Sequence, residues 1–134
     1  MCTEVDIILR LLLATALGAG IGYQRERANK PAGLRTHVLI ALGSALFTVV
    51  SIFGFSGGVD PSRVAAGIVT GIGFIGAGVI FRGVRGDHVA GLTTAASIWA
   101  TASIGLAAGV GMYLIATVVA AITALVLMIP QVKG

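Results

Sequence analysis

Charge is scarce in this sequence: only 10% of its 134 residues are Asp, Glu, Lys or Arg, against about 25% in an ordinary soluble domain. So little polar surface cannot clothe a water-facing globule, which sets aside a soluble enzyme and a disordered tail. A single cysteine, Cys2, excludes an intrachain disulfide framework and a cysteine metal cage. What fills the sequence instead is 57% apolar residues and 20 glycines, with a mean hydropathy of +1.03. A nucleic-acid module is excluded by the same composition despite a pI near 10.0. The chain is therefore read as an integral membrane protein, all-α, a polytopic helix bundle forming a single domain over 1–134.

A helix needs about 20 residues to cross a hydrocarbon core of about 30 Å. The apolar runs divide into five such spans: Val5 to Tyr23, Thr36 to Phe55, Val64 to Phe81, Val89 to Gly105 and Met112 to Ile129. Arg25 to Gly33 makes a charged and turn-rich break. A second break ends in Asp60-Pro61, a capping residue followed by a proline at the first helical position. The third, Arg82 to Asp87, is polar, whereas the fourth is only the glycine-rich Gly105 to Gly111, so spans four and five could also be one kinked segment. Glu4 and Asp6 give the first span an acidic flank, unlike a cleaved signal peptide. With five spans, Arg25, Arg27, Lys30, Arg35, Arg82, Arg85 and Lys133 fall on one side and Arg10 and Arg63 on the other. The positive-inside rule then puts the N-terminus outside and the C-terminus in the cytoplasm.

Within the spans, Gly18 and Gly22 form a small-xxx-small pair, Gly67, Gly71 and Gly78 form a stripe around Phe74, and Gly105 and Gly109 repeat the spacing. Such faces permit close backbone contact between helices or between copies of the chain. Alternatively they give span three room to slide or break. Gly71-Ile72-Gly73-Phe74-Ile75-Gly76 spells a dinucleotide-binding fingerprint, but it lies inside an apolar span, and Ala96 stands where an acidic residue is needed. Nucleotide binding is rejected.

Hydroxyls and imidazoles in hydrocarbon must find partners. His37, Ser44, Thr48 and Ser51 share one face of span two, and Thr93, Ser97 and Thr101 share a face of span four. Each hydroxyl taken singly reads as a bond to its own i−4 carbonyl or as glue between helices. Two stripes facing each other would instead line a polar seam, with His37 near its cytoplasmic mouth and Thr93-Thr94 near the start of span four. The basic residues Arg25, Arg27, Lys30, Arg35, Arg82 and Arg85 read either as a topology anchor beside anionic lipid or as a pocket for phosphate, a lipid headgroup or an acidic partner. Glu26 and Asp87 are the candidates for holding a cation. Asp6 and Arg10, four apart, read as an ion pair with a snorkelling arginine and no function. Trp99 reads as a packing element at a helix contact, its indole N–H in need of a partner.

Four segments carry a resemblance: Gly18-Ala19-Gly20-Ile21-Gly22-Tyr23-Gln24-Arg25-Glu26-Arg27, Lys30-Pro31-Ala32-Gly33-Leu34-Arg35-Thr36-His37, Gly71 to Gly78, and Gly91-Leu92-Thr93-Thr94-Ala95-Ala96-Ser97-Ile98-Trp99. In this order they resemble the transmembrane domain of the MgtC/SapB family. The resemblance implies a five-span protein of a bacterial-type plasma membrane, associated in some members with magnesium limitation and virulence. It also implies either magnesium transport, an activity disputed within the family, or regulation through membrane partners, among them the proton-driven ATP synthase. The sequence departs from the longer family pattern, ending five residues after Ile129. That leaves no room for the cytoplasmic domain many members carry, as expected of a short member or a truncated one.

Two functions follow. A regulator would dock on itself or on other membrane proteins through its glycine faces and loops, as a homodimer or larger homo-oligomer. A small transporter or channel for Mg2+, protons or phosphate would use the seam. Against the second stands the absence of any carboxylate in a span core, since divalent cations want hard oxygen ligands. No enzymatic activity, cofactor, resident metal or nucleic-acid partner is expected.

Overall fold

Five helices form where the apolar runs predict them. The computed structural model describes residues 4–82, 84–85 and 88–130. In chain order the elements are α1 (Glu4–Arg27), α2 (Leu34–Phe53), α3 (Ser62–Arg82), the two-residue strands β1 (Val84–Arg85) and β2 (His88–Val89), α4 (Leu92–Val110) and α5 (Tyr113–Leu127). Four of them, α1 to α4, are long and apolar enough to cross a membrane; α5, with 15 residues, is shorter.

The element ends depart from the apolar runs for local reasons. α1 continues past Tyr23 through Gln24-Arg25-Glu26-Arg27, good helix formers whose cations suit the negative end of the helix dipole. Glu26 then caps α2, accepting the Leu34 backbone N–H at 3.2 Å. At the start of α3, Asp60 accepts both the Ser62 N–H at 2.9 Å and the Ser62 hydroxyl at 2.7 Å. Those bonds hold the exposed Asp60 carboxyl below its usual pKa. The cap is therefore intact above the ordinary carboxylate range and is lost as pH falls through that lowered value.

Two residue pairs flank the third break. Val84 pairs with Val89 and Arg85 with His88 in an antiparallel ladder, so Val89 belongs to the hairpin and not to span four. α4 opens after Gly91, whose φ of +90 suits only glycine well.

The glycine run from Gly105 is helical, not a break. α4 extends to Val110 and stops at Gly111, φ +98, whose N–H caps the Ala107 and Ala108 carbonyls. α4 and α5 are thus separate helices meeting at a tight turn. A Cβ at Gly111 would also stand 2.9 Å from Arg10 Nη2. Gly111→Ala is expected to lower stability by about 1–2 kcal/mol, the cost of a left-handed non-glycine residue, measurable as a lowered Tm in detergent.

Small residues decide the packing. α2 lies between α1 and α4, and its Ala41 is wholly buried. On one side of α2, a Cβ on Gly18 would stand 2.8 Å from both Ala41 Cβ and the His37 carbonyl, and one on Gly22 would stand 2.8 Å from Leu34 Cα. On the other side, Gly105 faces Ala41 and Ser44, and Gly109 faces Ala45 and Thr48. Two glycine pairs thus bring three helices to backbone contact, and the core between them is built mainly of alanine, with Ile21, Ile98 and Ile104 as its largest fully buried apolar side chains.

α3 stands apart from this core. It packs chiefly on α4, and of its residues from Ser62 to Phe81 only Gly76 is buried. A cleft of about 530 Å3 opens between α2, α3 and α4, bordered by Thr48, Ile52, Ala65, Leu106 and Val110. Trp99 is 58% exposed on the outer face of α4, and so is not the element of helix contact that its depth suggested.

Candidate functional site: a buried polar seam

The polar residues of the spans gather along one line, because α1, α2 and α4 each bury a stripe that the others cover. α1 buries Arg10, Ala14, Gly18, Ile21, Gly22 and Arg25, so a guanidinium sits toward each end of a strip of small residues.

At the Arg25 end, His37 is fully buried on α2. Its Nδ1 lies 2.9 Å from the Gly33 carbonyl, which can only accept, so Nδ1 carries a hydrogen. Its Nε2 lies 3.0 Å from Ser97 Oγ on α4. The Ser97 hydroxyl is also within 2.8 Å of the Thr94 carbonyl. Arg25 Nη2 donates to Thr94 Oγ1 at 2.7 Å. One cluster therefore joins α1, α2 and α4 through Arg25, His37, Thr94 and Ser97.

Further along, the Ser44 hydroxyl donates to the Ala102 carbonyl at 2.7 Å, tying α2 to α4 a second time. Thr48 donates to the Ser44 carbonyl at 2.8 Å and Thr101 to that of Ser97 at 2.7 Å, each within its own helix. Ser51 reaches the Pro61 carbonyl at 3.2 Å. The two stripes do face each other, but every hydroxyl of Ser44, Thr48, Ser51, Ser97 and Thr101 is taken by a protein group. Thr93 is not part of the seam. It borders an outer groove of about 420 Å3 between α4 and α5, together with Ser97, Thr123 and Leu127. Of the Thr93-Thr94 pair, the buried one is Thr94, seven residues before Thr101 and so on its face; that spacing is the signal that separates it from Thr93.

The opposite end holds the Asp6–Arg10 ion pair expected from their spacing, set in a wider network that the spacing did not reveal. Arg10 does not snorkel. It is buried, its Nε on Asp6 Oδ2 at 2.9 Å and its Nη1 on the Gly109 carbonyl at 2.8 Å, with the Phe53 ring centroid 5.2 Å away. The Tyr113 hydroxyl donates to the same carboxylate. The cation thus meets the last turn of α4, where the helix dipole is negative, and ties together α1, α2, α4 and α5. The signal was the shared face of Arg10, Ala14 and Gly18, four residues apart.

The basic residues separate. Arg25 is buried, whereas Arg27 is exposed over Tyr23 at 5.7 Å and Arg35 borders a different hollow of about 290 Å3 with Glu26 and Thr36. Lys30 is half-buried in the loop, its N–H on the Arg25 carbonyl. Arg25 and Arg35 therefore do not share a pocket. The side chains of Arg82 and Arg85, and Asp87 entirely, lie outside the described residues. Among the described residues no group of three His, Cys, Asp or Glu could hold a metal ion, and Glu26 serves as the cap of α2. Among the described residues, Gly67, Gly71 and Gly78 meet nothing: a Cβ at any of them would have no neighbour within 4 Å.

This sequence is similar along most of its length to known proteins. The MgtC family pattern matches residues 11–133. "Putative magnesium transporter YhiD" of Escherichia coli is 54% identical over 115 residues, covering 81% of this chain and 53% of the relative. Protein SapB of Bacillus subtilis is 47% identical over 117 residues, 82% of this chain and 50% of its own length. Protein MgtC of Brucella abortus is 48% identical over 99 residues, 74% of this chain and 40% of its own. The chain thus spans about half the length of the relatives it matches, or less. No solved structure matches it. With the family pattern running from α1 to beyond α5 and relatives at 47–54% identity, this multi-pass helical membrane chain belongs to the MgtC family.

Proposed function

We propose that the chain is a membrane-embedded regulatory module of a bacterial plasma membrane, linked to magnesium homeostasis or virulence, which acts by docking its α3 face against a second copy of itself and through that dimer on other membrane proteins. The observation that carries this reading is the contrast between glycine faces. Gly18, Gly22, Gly105 and Gly109 are consumed inside the chain, while no described residue covers Gly67, Gly71 or Gly78 on the least covered long helix. Small residues spaced by four let two helices approach closely in lipid, where no hydrophobic force drives them together, and a self-complementary face closes as a symmetric dimer. In this reading the Arg25 end faces the cytoplasm, in line with the clustered cations of the first loop.

A cysteine at Gly71 in a Cys2→Ser background is expected to cross-link as a dimer in native membranes, and Gly71→Trp to abolish association without unfolding the chain. A folded Gly71→Trp protein that still associates would sink the α3 interface. The competing reading is ion conduction along the seam, favoured by the name of the Escherichia coli relative and by the facing hydroxyl stripes. It would prevail on saturable flux of Mg2+, protons or phosphate into liposomes, lost in folded Ser97→Leu or Thr48→Leu protein. The docking reading expects no flux above that of empty liposomes.

A further inference from the structure

Among the described residues, two buried side-chain atoms lack a hydrogen-bond partner, and they belong to consecutive residues: Gln24 Oε1, an acceptor, and Arg25 Nε, a donor. Rotating the Gln24 amide does not repair the first. Its Nε2 donates to the Ala124 carbonyl on α5 at 2.9 Å, and the flip would set oxygen against oxygen. Arg25 is the greater anomaly: 4% exposed, held by a neutral threonine hydroxyl, with no carboxylate among the described residues paired to it. A buried cation left without a counter-charge is strongly unfavourable. A water molecule would satisfy both orphan atoms and neutralise nothing. A ligand that completed both atoms and balanced the charge would be an anion that can also donate a hydrogen bond.

Depth and surroundings narrow its identity. The 24 residues of α1 span about 36 Å, longer than a hydrocarbon core of about 30 Å, so the last turn carrying Gln24 and Arg25 comes to the edge of the hydrocarbon, next to the phosphate layer. Arg27, Lys30 and Arg35 follow at the same end. Beside it runs the mostly apolar α4–α5 groove of about 420 Å3. Its borders include Thr93 and Ser97, which flank the Thr94 that holds Arg25, and Thr123, which precedes the Ala124 that holds Gln24.

We propose that this corner binds one anionic phospholipid of the phosphatidylglycerol class, its phosphate on Arg25 Nε, a glycerol hydroxyl donating to Gln24 Oε1, and an acyl chain along the α4–α5 groove. The site depends neither on the α3 dimer nor on which side of the membrane faces the cytoplasm. A zwitterionic lipid supplies the phosphate but brings its own cation, and so leaves the charge of Arg25 uncompensated.

The test is native mass spectrometry and thermal unfolding of the full chain in detergent, with phosphatidylglycerol, phosphatidylcholine, phosphatidic acid or inorganic phosphate added separately. Phosphatidylglycerol is expected to be retained about tenfold more strongly than phosphatidylcholine, a difference of about 1.4 kcal/mol, and to raise Tm. Arg25→Gln should bring it down to the phosphatidylcholine level, while the exposed Arg27→Gln keeps the preference. Gln24→Leu should erase the preference over phosphatidic acid, which lacks glycerol hydroxyls, and retain that over phosphatidylcholine. The proposal is overturned by equal retention of the two lipids in the wild type, as an acidic partner chain at this site would give. It is also overturned by a preference that survives in folded Arg25→Gln, by Arg27→Gln losing it as fully, or by inorganic phosphate alone giving the same rise in Tm. Should Arg25→Gln fail to fold, the wild-type comparison of phosphatidylglycerol, phosphatidylcholine and phosphate decides.

Discussion

Gly105→Leu is expected to produce the largest loss of stability of any substitution on α4, whereas Gly71→Leu on α3 leaves the stability of the single chain unchanged. A side chain at Gly105 would enter the backbone of Ala41 and the Cβ of Ser44, and Ala41 cannot retreat because Gly18 of α1 closes its other side. Overpacking a tight core costs about 1–3 kcal/mol when neighbours can shift. Here the neighbour is backbone on both sides, so the effect should reach the top of that range or pass it. It should also part Ser44 from the Ala102 carbonyl. At Gly71 a new side chain meets open space. Thermal unfolding of both variants in detergent, below the concentration at which copies associate, distinguishes them. Equal losses would mean that α3 is covered within the chain after all.

The second large effect is expected at the opposite end of the seam. Asp6→Ala removes the carboxylate from Arg10, whose side chain is only 10% exposed, and from the Tyr113 hydroxyl in the same step. Taking one partner from a buried ion pair costs about 3–5 kcal/mol. With the Asp6 side chain 31% exposed and the Gly109 carbonyl still on Arg10, the lower end of that range is the reasonable expectation. The double variant Asp6→Ala/Arg10→Met should recover much of the loss, because an apolar side chain of similar length carries no stranded charge. If the double variant is no more stable than Asp6→Ala, the cost lies in lost packing around Phe53 and Gly109 and not in the buried cation.

The two ends of α1 pose the same problem and meet it differently. Arg10 has a carboxylate four residues away on its own helix and the Gly109 carbonyl in the last turn of α4. Arg25 has a threonine hydroxyl and an unfilled Nε. An end that satisfies itself is a structural clamp, and an end that does not is where a ligand is to be sought.

Much of this could be derived from residue order. The scarcity of charge, the length of five apolar runs and the polar breaks between them determined a helical membrane bundle, because hydrocarbon admits few other ways to satisfy a backbone. The seven-residue and four-residue spacings of His37, Ser44, Thr48 and Ser51 put those side chains on one face of α2 by geometry alone. The order of the glycine and threonine motifs carried the family.

What the sequence could not decide is which face meets which. Gly105 and Gly109 could be read either as part of a glycine-rich break or as a packing pair, and they are helix because α2 offers Ala41 and Ala45 against them at backbone distance. Gly18 and Gly71 are the same residue in similar apolar surroundings, yet one is enclosed and the other open, since only tertiary packing sets the order of helices around α2. Thr94 and not Thr93 joins the seam because α4 turns that side toward α1. The burial of Arg10 and Arg25 followed the same logic. Spacing places a charge on a face, but only the neighbouring helices determine whether that face is covered, and with it the cost of the charge.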